Sequence, residues 1–354
     1  MKLTRSGCVV PDTSEIKKEL TVRPIVNADF GVAPPSFKVF RKAKSGLCVP
    51  RYYAEEKFGK LVEDIRPKPA KIKISFKGKL RDETHQNEAL SKAIEAGHGI
   101  LSLPCGFGKT TVSLAIACKL GYRTMIVVHK EFLANQWKER IQQFCPGASI
   151  GIVRQNKKEV HCDFVIAMLQ SLSLKEYSFE DFDSIGTLIV DEAHHICAKV
   201  FSQSLFKLCP KHAFGLSATP NRKDGLTKVL HWFMGPTFFS VERKNQDQVD
   251  VFPLVYTCPR FEDPPPCTRF GKLSLPTMIT ELTEMPDRNR MILQTIKDVT
   301  KTTRQILVLS DRRFHCEFLH QKFKTTSGLY MGGMKEADLT ESSKKQIIFA
   351  TFSQ

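Results

Sequence analysis

Between residues 84 and 245, short apolar runs alternate with amphipathic stretches. "GILSL" (99–103), "TMIVVH" (124–129), "FVIAM" (164–168), "TLIV" (187–190) and "AFGLS" (213–217) are brief and rich in β-branched residues. Helix-like "KTTVSLAIACKL" and "KEFLANQWKERIQQF" separate the first three. Continuous apolar strands interleaved with helices predict a parallel sheet covered on both faces. Ligands bind such sheets at the carboxyl ends of the strands. A second unit of the same kind is expected from about residue 250. It would open on strand "VFPLVYT" (251–257) and exposed loop "RFEDPPPCTRFGK". Helical "DRNRMILQTIKDVTK", strand "QILVLS" (305–310), helix "DRRFHCEFLHQKF" and strand "QIIFAT" (346–351) follow. Towards the N-terminus, Pro breaks the apolar runs. "KIKISFKGKL" (71–80) alternates Lys with Ile or Phe, which predicts a half-exposed strand, and "EDIRPKPAK" reads as a linker. The expected organisation is a small basic β-containing domain over 1–78, an α/β domain over 79–245 and a partial second α/β domain over 246–354.

Composition narrows the class. With 42% hydrophobic and 25% charged residues the chain is of globular type. No run approaches the roughly 18 apolar residues of a membrane span, and the N-terminus is too weakly apolar for a secretory signal. An intracellular, soluble protein with no membrane partner is therefore expected. Eleven cysteines without a C-x-x-C pair suggest neither a disulfide framework nor a zinc ribbon. His161-Cys162 and His315-Cys316 read as ordinary thiols and imidazoles rather than metal ligands. Net charge is +16, with 20 Lys+Arg against 12 Asp+Glu in residues 1–98 and 33 against 25 in the rest. The shorter part has over twice the charge density, which favours a polyanionic partner such as nucleic acid.

Chemistry enters at "LSLPCGFGKTT" (101–111). The phosphate-loop pattern G-x-x-x-x-G-K-[ST] asks for a glycine where Leu103 stands. Gly106 and Gly108 nevertheless let the backbone approach a phosphate, facing main-chain N–H groups and a helix N-terminus towards the anion. Lys109 supplies a point charge for β- and γ-phosphates, and the Thr110 hydroxyl suits Mg²⁺. "TLIVDEAHH" (187–195) delivers Asp191 and Glu192 at the end of an apolar strand. Adjacent acids there fit separate tasks, Asp191 on the metal and Glu192 on the attacking water. A D-E pair is more often a solvated acidic turn. "GLSATP" (215–220) places small hydroxyl residues at another strand end and is by itself only a loop signal. The three in this order, each after a strand, indicate a nucleoside triphosphatase.

The ordered set resembles a superfamily-two helicase or translocase. "PCGFGKT" is similar to its motif I, "VVHKEFLANQW" to Ia, "DEAH" to II and "SATP" to III; "ILVLSDRR" resembles motif IV and "IIFATFS" the opening of motif V. "GLSATPNRKDGLTKVLHWFMGP", with "LCVPRYY" upstream, is most similar to DEAH-type helicases of large DNA viruses, relatives of the XPB-type helicases. The likeness covers about residues 45–354. It implies a RecA-like phosphate-loop domain and an incomplete second RecA-like domain. ATP and Mg²⁺ are the implied cofactors, and the implied partner is nucleic acid, DNA favoured over RNA, with transcription or repair machinery. A nuclear or viral-factory location follows for a viral protein. By the resemblance, Lys109, Asp191, Glu192 and His194 are catalytic. Gln86, Gly106, Phe107, Gly108, Lys109, Thr110 and Thr111 bind ATP, with Gln86 reading the adenine, and Thr110 and Asp191 hold the metal. Ser217 and Thr219 couple hydrolysis to the nucleic acid. Trp137, Arg312, Arg313 and Thr351 line the strand path, although Trp137 also reads as a core residue and the arginines as a solvated helix start.

Leu103 is no obstacle, because such loops commonly lack the first glycine. Motif V of the family continues into a Gly-Leu-Asp turn, and motif VI follows with a Gln and arginines. The sequence ends at Gln354 with neither, so truncation is expected, with ATP bound but poorly hydrolysed. Two other readings stay open: a non-hydrolysing ATP- and nucleic-acid-binding protein, and the motor of a restriction-type nuclease. The aromatic-basic stretch 36–60 reads either as a base-stacking groove or as a hairpin with its rings inward.

Overall fold

The central strands are buried on both faces because nearly every side chain in them is apolar. A computed structural model describes residues 1–25, 34–59, 63–219, 221–242, 250–258, 268–269 and 272–352. These fall into two compact units, the first up to residue 242 and the second from residue 250.

In the first unit the strands are β1 (Gly99–Ser102), β2 (Thr124–Val128), β3 (Ile150–Arg154), β4 (Phe164–Met168), β5 (Thr187–Val190), β6 (His212–Ser217) and β7 (Thr237–Ser240). They pair in parallel in the order β3-β4-β2-β5-β6-β1-β7, with Lys157–Lys158 antiparallel on the β3 edge. Alternate residues of each strand point to opposite faces. Leu101, Ile126, Ile166, Ile189 and Leu216 pack under α1 (Gln86–Ala96), α2 (Lys109–Leu120) and α3 (Glu131–Phe144). Ile100, Met125, Val165, Leu188 and Val190 pack on the other face, with Val229 and Leu230 of α4 (Thr227–Met234).

The N-terminal strands Lys2–Thr4, Gly7–Val10, Arg41–Ala43, Gly46–Val49 and Glu63–Asp64 form a separate sheet. Its apolar side (Leu3, Val10, Leu47, Val49) joins the same core as α4 and the second face of the central sheet. The 78/79 boundary therefore falls inside one compact unit, and the 245/246 boundary lies outside the described residues. In the 36–60 stretch, a hairpin (41–49) precedes helix Arg51–Phe58. Phe37, Tyr52 and Tyr53 are buried while Lys42 and Lys44 are exposed. These three rings fill core, whereas Phe40 is half-buried and Phe58 is exposed; Lys60 lies outside the described residues.

Two expected strands are absent among the described residues. Over 71–80 only Lys71 bridges Tyr122; Ile72 N–H donates to the Gly121 carbonyl and Lys77 N–H to that of Phe144. The alternation is real, since Ile72 is buried and Ile74, Phe76 and Leu80 pack on the helical side. A one-sided apolar strap over helix ends satisfies the same pattern as a strand in a ladder. The second correction is 251–257, which forms no strand and exposes Val251, Phe252, Leu254 and Val255. Pro253 removes a ladder donor from the middle of that run.

The expected exposed loop 260–272 lies mostly outside the described residues. Besides helices Leu275–Glu284 and Glu336–Ser342, the second unit has α5 (Pro286–Thr300), β8 (Ile306–Ser310), α6 (Arg313–Lys322), β9 (Ser327–Tyr330) and β10 (Ile347–Thr351). Its strands are parallel in the order β8-β10-β9, around Ile296, Cys316, Leu319, Ile347 and Phe349. No helix among the described residues is long and apolar enough to cross a membrane.

Candidate active site

Parallel pairing brings the ends of β1, β2, β5 and β6 to one edge of the sheet. The β1 end becomes the loop 103–108 that leads into α2. Leu103 lies one residue past β1, and its N–H donates to the Ser217 carbonyl at 3.3 Å, tying the loop to the end of β6. Gly106 and Gly108 have φ of 85° and 82°. A Cβ at Gly106 would meet open space, whereas one at Gly108 would sit 2.5 Å from Gln86 Nε2. Lys109 Nζ donates to the Leu103 carbonyl at 3.2 Å. Thr110 and Thr111 occupy the half-buried first turn of α2, after the partly buried Phe107.

Gln86 is 1% exposed, and both ends of its amide have a partner. Oε1 accepts from Arg81 N–H at 3.0 Å, and Nε2 donates to the Phe107 carbonyl at 2.9 Å. Arg81, which sequence reasoning missed, also donates to the Gly106 carbonyl at 3.3 Å. In this structure Gln86 steadies the loop.

Asp191 follows β5 and continues the sheet, its N–H donating to the Val127 carbonyl at 2.9 Å. One carboxylate oxygen accepts from Glu192 N–H at 3.0 Å and the other from Trp137 Nε1 at 2.8 Å. Trp137 is 1% exposed, which corrects its expected place on the strand path: an indole under the sheet edge cannot stack on a base. Its task here is to fix Asp191. Trp137→Ala should lower unfolding stability by about 3–5 kcal/mol. Trp137→Phe keeps most of the packing but leaves Asp191 short of a buried donor, which costs about 1–3 kcal/mol. Denaturant midpoints of the two variants check both values.

Glu192 adopts left-handed backbone geometry (φ 47°), an unusual conformation for a non-glycine residue and one that clusters at functional sites. Burial raises its pKa, with Lys109 opposing the shift. Glu192 Oε2 lies 3.5 Å from His194 Nδ1, which lies 3.5 Å from Ser217 Oγ. Ser217 Oγ in turn accepts from Thr219 N–H at 3.1 Å. The motif residues therefore form a chain from acid to imidazole to hydroxyl; Pro220 lies outside the described residues. Arg222 was not singled out from sequence. It donates to the His194 carbonyl at 2.6 Å and through Nε to Asp224 at 2.9 Å. Its signal was the R-x-D spacing in "SATPNRKD".

Three imidazoles lie in tilted contact behind this chain. The His129 ring, at the end of β2, is 4.0 Å from His195, and His195 is 4.3 Å from His194. Burial is the main cause that pushes His129 from 6.5 down to about 4, and its Nδ1 is buried without a partner. An unfolded chain binds this proton at up to about pH 6.5, whereas the folded chain releases it above about 4. Stability is thus expected to rise with pH across that window. His129→Phe should flatten the slope, read by chemical denaturation at a series of pH values.

The remaining expected contacts belong to the second unit. Arg312 donates to Thr280 Oγ1 at 2.9 Å and to the Pro276 carbonyl, while exposed Arg313 donates to the Gly332 carbonyl. Thr351 is 6% exposed at the end of β10, so its hydroxyl is not presented to a strand.

The first-unit residues fit a magnesium–nucleotide complex. The loop has an open cradle at Gly106, a helix N-terminus behind it and Lys109 alongside. Asp191 adds a carboxylate held from two sides. Residues 78–222 match the family described as "Type III restriction enzyme, res subunit". A mimivirus protein of Acanthamoeba polyphaga, "Putative ATP-dependent RNA helicase L396", is 32% identical over 99% of this chain and 72% of its own length. The chain belongs to the superfamily-two helicases. This helicase is also 33% identical to "Putative helicase 161L" of Invertebrate iridescent virus 6, over 69% of the chain and 56% of that protein. It is 32% identical to "DNA 3'-5' translocase XPB2" of Sulfurisphaera tokodaii over 47% of the chain and 36% of that protein.

Proposed function

We propose that this ATP-dependent helicase or translocase works on DNA in preference to RNA, in transcription or repair, at a nuclear or viral-factory site. The supporting observation is the meeting of Lys109, Asp191, Glu192, His194 and Ser217 at one sheet edge, joined by the Leu103–Ser217 and Glu192–His194–Ser217 contacts. Bound magnesium–ATP supplies an electrophilic γ-phosphoryl group with its charge partly neutralised. In the proposed division of labour, Lys109 and the loop amides hold the phosphates, and Thr110 and Asp191 hold the metal. Glu192 orients a water and takes its proton, a role suited to a carboxylate whose pKa burial has raised. His194, Ser217 and Thr219 pass the state of that site towards the nucleic-acid side.

The preference for DNA draws on the XPB-type likeness, and the mimivirus relative's name favours RNA as the second reading. Competition of labelled DNA against RNA of the same sequence, with and without a non-hydrolysable ATP analogue, separates them. DNA is expected to bind more tightly and the analogue to shift its affinity; tighter RNA binding would overturn the assignment.

A further inference from the structure

Two thiols outside the ATP site meet across the helices that support it. Cys118 sits in the last turn of α2, and Cys145 caps the end of α3. Their sulfurs are 3.5 Å apart, close enough for one S–H to donate to the other sulfur. Cys145 is 1% exposed, whereas half-buried Cys118 lines an open groove of about 630 Å³ beside Ile74, Phe76, Leu80 and Leu90. A small neutral oxidant reaches the pair by that route. Disulfides are rare in intracellular proteins, where those that form are chiefly transient and redox-responsive.

We propose that Cys118 and Cys145 are an oxidation site that takes hydrogen peroxide and closes reversibly as a disulfide between α2 and α3. Cys118, the thiol that lines the groove, attacks one peroxide oxygen as its thiolate, the O–O bond breaks, and the departing hydroxide takes the proton of Cys145, 3.5 Å away, to leave as water. Cys145, now a thiolate, attacks the sulfenic sulfur of Cys118; the S–S bond forms and a second hydroxide leaves, protonated by solvent. Peroxide gains the two electrons that the two sulfurs lose. The site stands apart from nucleotide chemistry: Cys118 is nine residues along α2 from Lys109, about 13 Å at 1.5 Å per residue.

The test uses the full chain carrying Cys105→Ser, because Cys105 is an exposed thiol on the phosphate loop and competes for oxidant. Peroxide treatment followed by alkylation and non-reducing peptide mapping should show two fewer alkylatable thiols and one Cys118–Cys145 linked peptide. Dithiothreitol should restore both thiols, and the oxidised chain should melt at a higher temperature because the cross-link restricts the unfolded state. In Cys145→Ser the linkage should vanish and Cys118 should be trapped by dimedone as a sulfenic acid. Both thiols remaining alkylatable after peroxide, or oxidation running to sulfinic acid without a linked peptide, would overturn the proposal. If Cys145→Ser fails to fold, the linked peptide and its reversal in the Cys105→Ser chain decide the matter alone.

Discussion

Lys109→Ala is expected to remove nucleotide binding almost completely while leaving the fold intact. The amine sits at the start of α2 with the Leu103 carbonyl as its hydrogen-bond partner, and in the proposed site it would exchange that bond for the β- and γ-phosphates. Truncating one partner of a hydrogen-bonded charge pair costs about 2–5 kcal/mol of binding. The side chain is half-exposed and not part of either core cluster, so the melting temperature should stay near that of the parent. Titration with a fluorescent ATP analogue, with a melting curve beside it, separates lost binding from lost structure. Equal affinity in variant and parent would remove Lys109 from the phosphate site.

Glu192→Gln is expected to separate binding from chemistry. The substitution keeps the size of the side chain but removes the carboxylate that would accept the proton of water. A positioned general base contributes about 10²–10⁴-fold. ATP affinity should therefore persist while hydrolysis falls by that order. Nucleic acid should stay trapped on the ATP-bound variant. The pH profile of the parent adds a second readout. Because burial raises the Glu192 pKa, the active carboxylate is lost on acidification sooner than an exposed one would be. The acidic limb should disappear in the variant.

Much of the architecture was legible because strand and helix periodicities differ. β2, β4 and β5 agree with their apolar runs to within a residue, and α2 spans the expected "KTTVSLAIACKL". Phosphate-loop and acidic residues were legible because short motifs dictate backbone shape locally. The partners they acquire across the fold were not. Trp137 and Asp191 are 54 positions apart, and nothing local marks the indole as a donor to that carboxylate. Arg222 likewise reaches His194 across 28 positions. The 71–80 strap shows the limit of periodicity itself, since alternation reports one buried side without saying whether strand or helix ends cover it. At 251–257 a run of β-formers was outweighed by one proline.

The central claim is that this sheet edge forms a nucleotide site whose turnover answers to nucleic acid. Steady-state ATP hydrolysis by the intact chain, with no nucleic acid and then with single-stranded DNA, double-stranded DNA and RNA in turn, tests it most directly. The prediction is a rate that rises on adding nucleic acid and is abolished in Lys109→Ala. A rate indifferent to every nucleic acid, or one unchanged by Lys109→Ala, would contradict it.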